Sequence, residues 1–510
     1  MRRVSHPALV PAFIFFLSLT AAGQDIKAFE KRVTVKTLHN GLTLMVIERP
    51  VAPVFSFFTH VDTGSVQDPK GKGGLAHMFE HMAFKGTDKI GTRNWPAEQA
   101  ALAEIERTYR AYDFERRKVT GSDPRKVEQL KQAWEQAIEK AQQYVIPNQF
   151  DEIVEREGGQ NVNAFTSMDE TAYFYDMPSN RLELWAYLES ERFLHPVMRE
   201  FYKERDVVME ERRMRVDSSP LGRLVEQFVG AAFIAHPYHN EGIGFPSELE
   251  AFSATDAQQF FHYYYVPANM VVAVVGDVKP STALPVLEKY FGRIPKRPPP
   301  EEISLVEPPQ VAERQFVMRE ASQPIYLEGY HRPNFRDPDD AVYDVISDLL
   351  SNGRTSRLYR SLVRDKKIAV QAAGFSGFPG VKYPHLFAFY CIPVRGHTPA
   401  ELRDAVHREI ERLKNEDVTD EELKMVKTRI RADLIRSLAN NGGMAQAFAT
   451  VQTRYGDWRE LFRQVDRVDK VSKADIRRVA QKIFVPSNRT IGMLENISPA
   501  TASGQQGAKP

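Results

Sequence analysis

The sequence is nearly free of cysteine: Cys391 stands alone among 510 residues. That excludes an intramolecular disulfide and any zinc site built on cysteine thiolates. Cys391 falls in the strand-like run from Phe387 to Ile392 and reads as a small buried apolar residue. An excess charge of one sign is also missing. Lys and Arg number 68 against 67 Asp and Glu, so the net charge of +1 gives no argument for nucleic acid as a partner. Beyond residue 22 no apolar run is long enough to cross a bilayer.

The start of the chain reads as targeting rather than fold. Arg2 and Arg3 precede an apolar run, Ala8 to Ala22, that ends in small residues. It is short for a spanning helix, so residues 1–22 are expected to be a signal peptide cleaved after Ala22 or Gly23. The mature protein is then periplasmic or secreted, with no integral membrane segment, and without a cysteine near the cut it carries no lipid anchor. A length of 510 residues exceeds one core and predicts two or more domains.

The chemistry concentrates in residues 73–86, where His77, Glu80 and His81 spell His-x-x-Glu-His. In a helix, His77 and His81 lie one turn apart on one face with Glu80 beside them. Leu75, Met78, Phe79 and Met82 form a buried stripe on the other side, and Gly86 reads as the stop. Two imidazoles hold a zinc ion and a neighbouring carboxylate handles a proton; the order is that of the inverzincins. With 13 histidines in the chain, chance supplies roughly 0.03 such matches.

Strands are expected over 41–48 and 54–61. Residues 95–147 carry apolar positions at alternating three and four spacing on two charged segments, Leu102 to Tyr112 and Val127 to Tyr144. They read as an inserted antiparallel helical hairpin turning at Thr120–Pro124. Strand-prone residues follow over 161–176 and helix over 180–217. In that helix Glu204 and Glu211 share a face with Val207 and Val208, while Glu210 points to the charged side; a glutamate among valines is the better ligand candidate. Residues 292–312 hold six prolines and read as an extended linker, and residues 498–510 as a disordered tail.

A pattern recurs across that linker. Asp256 is followed by Val266, Pro267 and Asn269 opening an apolar strand; Asp475 is followed at the same spacings by Val485, Pro486 and Asn488. This suggests duplication, with domains at 30–291 and 313–497. The second copy's comparable helix, from Asp340 to Leu350, has no histidine, so one half carries the metal. The fold class expected is α+β: two related domains, each a mainly antiparallel sheet with helices packed on it, plus the hairpin.

His77-x-x-Glu80-His81, Asn163-Ala-Phe-Thr-Ser-x-Asp-x-Thr-x-Tyr173, Glu204-Arg-Asp-Val-Val-Met-Glu-Glu211, the segment from Gly244 to Asp256 and the run from Tyr265 to Asp277 together resemble the pitrilysin and mitochondrial-processing-peptidase family. The layout is similar to its bacterial processing-peptidase branch, whose chains are half-chambers. The resemblance implies one Zn2+ per chain held by His77, His81 and Glu211, with Glu80 as general base and Glu204 as a further acid orienting the site. It implies that Asn163, Ala164 and Phe165 lie on an edge strand that pairs with an extended peptide or unfolded protein segment. Spacing alone favours Glu157 as third ligand, but Glu157 adjoins Gly158-Gly159, outside the acidic motif.

Arg364 fits the family's carbonyl-holding arginine in the second domain, whereas Val370 or Gln371 stands where a tyrosine is expected. A partner subunit, in a homodimer or a heterodimer with a non-zinc relative, would supply that clamp. The activity implied is that of a zinc metalloendopeptidase; the alternative is a non-catalytic assembly or scaffold subunit of the same fold.

Overall fold

The computed structural model describes residues 26–497; the expected signal peptide and the expected tail lie outside them. Six strands form the first sheet: β1 (Val33–Thr37), β2 (Thr43–Glu48), β3 (Val54–Val61), β4 (Gln160–Thr166), β5 (Thr171–Pro178) and β6 (Met270–Gly276). Five form the second: β7 (Arg314–Glu320), β8 (Ile325–Arg332), β9 (Ala369–Phe378), β10 (His385–Pro393) and β11 (Arg489–Asn496). Their spatial orders are β1-β2-β6-β3-β5-β4 and β7-β11-β8-β10-β9.

With β1 set aside, the two orders are the same. Each sheet has one parallel pair, β2 with β6 and β7 with β11, and antiparallel pairs elsewhere. The repeat seen in the sequence has a local physical form. Ser253 and Asp256 make a capping box at one helix start, and Ser472 and Asp475 make its counterpart. A 3-10 turn follows each helix, at Pro267–Asn269 and Pro486–Asn488. The Asn269 amide donates to the Tyr264 carbonyl at 3.1 Å, and the Asn488 amide to the Ile483 carbonyl at 3.0 Å. The same amides reach across to the Thr63 hydroxyl and the His331 carbonyl, stitching the turn to the sheet.

β6 reads Met-Val-Val-Ala-Val-Val-Gly, and every residue of it is buried. Its alternation sorts the strand onto two faces. Met270, Val272 and Val274 join Leu44, Val46, Phe55 and Phe57 in the core that holds the histidine helix, Leu75–Met82. Val271, Ala273 and Val275 join Met45, Ile47 and Phe58 on the other face. Helices of the second half cover that face, through Met444, Phe448, Trp458 and Phe462.

Residues 295–312 hold neither helix nor strand, in line with an extended linker. The linker is nonetheless anchored: the Glu307 carboxylate accepts from the backbone N–H groups of Ile234, Ala235 and His236, each at 2.9 Å. The hairpin forms as its spacing predicts, from helices Trp95–Arg116 and Pro124–Gln142 capped by Asn94 and Asp123. Its aromatic seam continues into the body of the domain. Trp134 stacks on Tyr112, and both Trp134 and Tyr109 pack against Tyr202.

Phe448 is fully buried between the halves. Phe448→Ala should cost about 3–5 kcal/mol, read by urea unfolding of the whole chain; a loss below about 1 kcal/mol would show that this face needs no such cover.

Candidate metal centre

The histidine helix begins without a side-chain cap of its own. Gly74 sits at φ +89, and a Cβ there would lie 2.3 Å from the Ile243 carbonyl oxygen, so only glycine fits this approach. The cap comes from outside: the Asp68 carboxylate accepts from the N–H groups of Gly74 at 2.7 Å and Ala76 at 2.8 Å. Leu75, Met78, Phe79 and Met82 are buried as expected, which turns His77 and His81 to the opposite side. The helix stops at Met82, earlier than Gly86. Phe84 and Lys85 tighten into i→i+3 bonds before that glycine, at φ +82, turns the chain.

Residues 180–217 are largely helical, as the sequence suggested, in separate helices. Helix Leu182–Leu194 ends before Pro196, which has no N–H to continue it, and the glutamate helix, Phe201–Arg212, starts afresh after Glu200. Val208 is buried beside Glu204 and Glu211, but Val207 turns outward and is 46% exposed, so the expected valine stripe is half realised. Glu210 pairs with Arg213 in solvent.

The two helices bring His77, His81 and Glu211 together. Glu211 Oε2 lies 3.6 Å from Nε2 of His77 and 3.6 Å from Nε2 of His81. Among the described residues this is the one trio of His, Cys, Asp or Glu side chains whose ligand atoms all fall within 4.8 Å of one another. A zinc tetrahedron with bonds of about 2.0–2.1 Å has edges of about 3.3 Å, so the donor set and its spacing fit that ion. Glu157 is elsewhere, paired with Arg181 at 3.1 Å.

Around the trio sit three groups outside the His-x-x-Glu-His motif. Thr166 donates to Glu80 Oε2 at 2.7 Å and fixes that carboxylate beside the histidines. Arg215 pairs with the other Glu211 oxygen, Oε1, at 2.8 Å. Lys85 contacts Glu204 and lies 3.7 Å from Glu200. Lys85 is four residues after His81 and was findable by helical spacing; Thr166 and Arg215 meet their partners only through the fold.

The electrostatics divide the roles. Burial raises the Glu80 carboxyl above its usual range, with the Thr166 bond working against it. Burial holds the His77 imidazole down at about 4, with His81 adding to the effect. Burial also acts to lower His81, but Glu204, 3.5 Å from Nδ1, and Glu211 outweigh it and hold it up at about 9. Glu204 stays below the usual carboxylate range, since the bonds from His81 and Lys85 overcome its burial.

Asn163, Ala164 and Phe165 lie on β4, the last strand of the first sheet, bonded to β5 on one side only. Arg364 sits on an exposed π-helical turn with its guanidinium on the adjacent Asp365, and Val370 is exposed on β9. The second half reaches the trio elsewhere. Phe378 and Pro379 wall a cavity of about 260 Å3 beside His77, together with Met168, Val225 and Val229.

A duplicated sheet-and-helix scaffold with, among the described residues, one His2Glu trio, carried by the first half, defines the class of two-domain metallopeptidase folds. Comparison with known proteins gives the family. The model of the insulinase family, peptidase family M16, matches residues 44–109 and 134–244, and the model of the M16 inactive domain matches residues 251–430. The break at 110–133 falls on the outer part of the hairpin. The zinc protease PqqE of Helicobacter pylori is 29% identical over 513 residues, covering 97% of this chain and 100% of that one. The crystal structure of a protease from Helicobacter pylori superposes with a TM-score of 0.75 at 27% identity, over 91% of this chain and 99% of the other. The periplasmic protease PqqL of Escherichia coli superposes at 0.66 and 18% identity, over 92% of this chain and 49% of that one. The chain belongs to peptidase family M16, the family its motifs resemble.

Two outcomes are expected. Glu204→Gln should weaken Zn2+ binding about 10- to 100-fold by releasing His81 from its orienting partner, measured by chelator competition. Metal uptake also requires a neutral His81, whose imidazole titrates at about 9. Zn2+ affinity should therefore tighten by about tenfold per pH unit between roughly pH 7 and 9; a flat profile would contradict this.

Proposed function

We propose that the protein is a zinc metalloendopeptidase acting on peptides or unfolded protein segments in the periplasm or outside the cell. The observation that carries this is the intact trio with Glu80 poised beside it. Support comes from the zinc-protease names of its relatives, and for the compartment from the basic and apolar leader and the periplasmic PqqL. Zinc held by His77, His81 and Glu211 supplies a Lewis acid that polarises a carbonyl and acidifies water.

The chain's own residues do the rest. β4 offers its open edge at residues 163–165 to an extended peptide, which adds as a further strand once the Asn163 side chain, now accepting from the Ala164 N–H at 2.9 Å, gives way. A strand laid there passes Thr166 and hence Glu80. The raised carboxyl of Glu80 suits it to move a proton in both directions. Oε1 takes a proton from the attacking water and returns it to the leaving amine, while Oε2 stays on Thr166. Glu204 keeps His81 oriented through Nδ1. The cavity beside His77, walled by Met168, Val225, Val229 and Phe378, takes an apolar substrate side chain.

The scaffold reading is disfavoured by the same trio, because a subunit without catalysis has no need to hold Glu80 in place. Pairing with a second chain has one observation behind it: Arg364 is turned onto Asp365 and Val370 is exposed, so this chain offers no clamp of its own at that position. Glu80→Gln should retain stoichiometric zinc and lose cleavage of a peptide library by at least about 100-fold; turnover near the parent level would remove Glu80 from the mechanism. His77→Ala should lose the metal, measured by atomic absorption, together with activity.

A further inference from the structure

Asp169 belongs to the motif that runs from Asn163 to Tyr173, yet it is not part of the trio and does not hold Glu80. It sits in the turn between β4 and β5 and is 6% exposed. Its carboxylate reaches into the second half of the chain. Oδ2 accepts from the backbone N–H groups of Val381 at 2.6 Å and Lys382 at 3.0 Å. Oδ1 accepts from the hydroxyl of the buried Tyr238, and that hydroxyl accepts in turn from the Tyr383 N–H at 3.3 Å. Two side chains of the first half thus take three successive N–H groups of the β9–β10 loop.

These donors replace the water that a buried carboxylate loses. The contact is also close: a Cβ on Gly380 would lie 2.5 Å from the Tyr238 hydroxyl oxygen and 2.6 Å from Asp169 Oδ2. An ion pair beside it, Lys382 with Asp62 at 2.8 Å, is more exposed and is weakened by water. The segments joined here are the ones that wall the cavity beside His77. The β4–β5 turn supplies Ser167 and Met168, the stretch after Tyr238 supplies Asn240 and Glu241, and the end of β9 with its loop supplies Phe378 and Pro379.

We propose that Asp169 is a positioning residue for substrate specificity: it fixes the second-half wall of this cavity and so sets which side chain the cavity accepts. This rests on the peptidase reading, with the cavity as a side-chain site. With the link intact, Phe378 bounds the cavity and side chains are ranked by fit. With the link broken, the loop gives way and the ranking flattens. The trio lies on helices of the first half and keeps its metal.

The test uses the whole protein and a peptide series that varies the residue on each side of the scissile bond in turn through Gly, Ala, Leu and Phe. Phe378→Ala identifies the position seated in the cavity, as the one whose ranking changes. At that position Asp169→Asn, with one acceptor oxygen in place of two, should compress the parent's spread of kcat/KM at least about tenfold. The glycine peptide should be cleaved near the parent rate, with zinc content unchanged. Gly380→Ala approaches the same contact from the second half and should compress the spread likewise. Added to Phe378→Ala, Asp169→Asn should change the ranking no further, because the wall it positions is already gone. Hydrogen exchange, which needs no turnover, should find the N–H groups of Val381, Lys382 and Tyr383 protected in the parent and released in Asp169→Asn. A spread that survives both Asp169→Asn and Gly380→Ala, an equal loss on every peptide including glycine, full additivity with Phe378→Ala, or unprotected amides in the parent would each overturn the proposal. A parent that cleaves none of the series while its amides are protected would overturn the peptidase reading, and the specificity role with it, and leave the link itself standing.

Discussion

A strand with no polar face cannot be left half covered, and β6 is such a strand. Both of its faces are apolar from Met270 to Gly276, so the first sheet needs helices on two sides. Its own half covers one with the histidine helix and its neighbours; the second half covers the other with Phe448 and Trp458. The halves are thus bound into one body through the middle of the sheet. What remains uncovered is the edge, where β4 carries the residues next to Glu80. A demand of burial at the centre leaves the reactive groups at the rim.

Above that platform the trio depends on where two helices cross, and a buried guanidinium sets the crossing. Arg199 directs its N–H groups to Glu98 and to the carbonyl oxygens of Lys85, Thr87 and Ile90. It therefore joins the loop that follows the histidine helix, the first hairpin helix and the start of the glutamate helix. Charge and hydrogen-bond capacity are both met, the condition under which a buried ion pair gives positional specificity without leaving an unpaired charge. Arg212, next to Glu211, plays a similar part at the other end, donating to the Gly244 carbonyl at 2.7 Å. The hairpin belongs to this arrangement through Tyr109, Trp134 and Tyr202 and does not merely decorate the surface.

Much of this was legible from local rules. Helical spacing placed His77 and His81 on one face and Leu75, Met78, Phe79 and Met82 on the other. The recurrence around Asp256 and Asp475 marked two matching capping boxes and, through them, two sheets of one topology. The misreadings were of packing. Val207 faces solvent because the glutamate helix presents Glu204, Val208 and Glu211 inward, and the helical stretch over 180–217 is interrupted at Pro196. A stripe read from spacing says which residues share a side, not how wide the buried band will be.

The sequence by itself determined the candidate ligand pair and the neighbouring carboxylate, which lie within about one helical turn of one another, and the duplication, which shows as one local pattern written twice. The tertiary structure alone decided that Glu211 Oε2 meets both imidazoles, that Thr166 holds Glu80, that Arg215 takes the remaining Glu211 oxygen, and that Phe378 reaches the site from the second half. Those contacts join segments far apart in the chain, and their geometry comes from how sheet faces and helices are buried against one another, which no local spacing encodes.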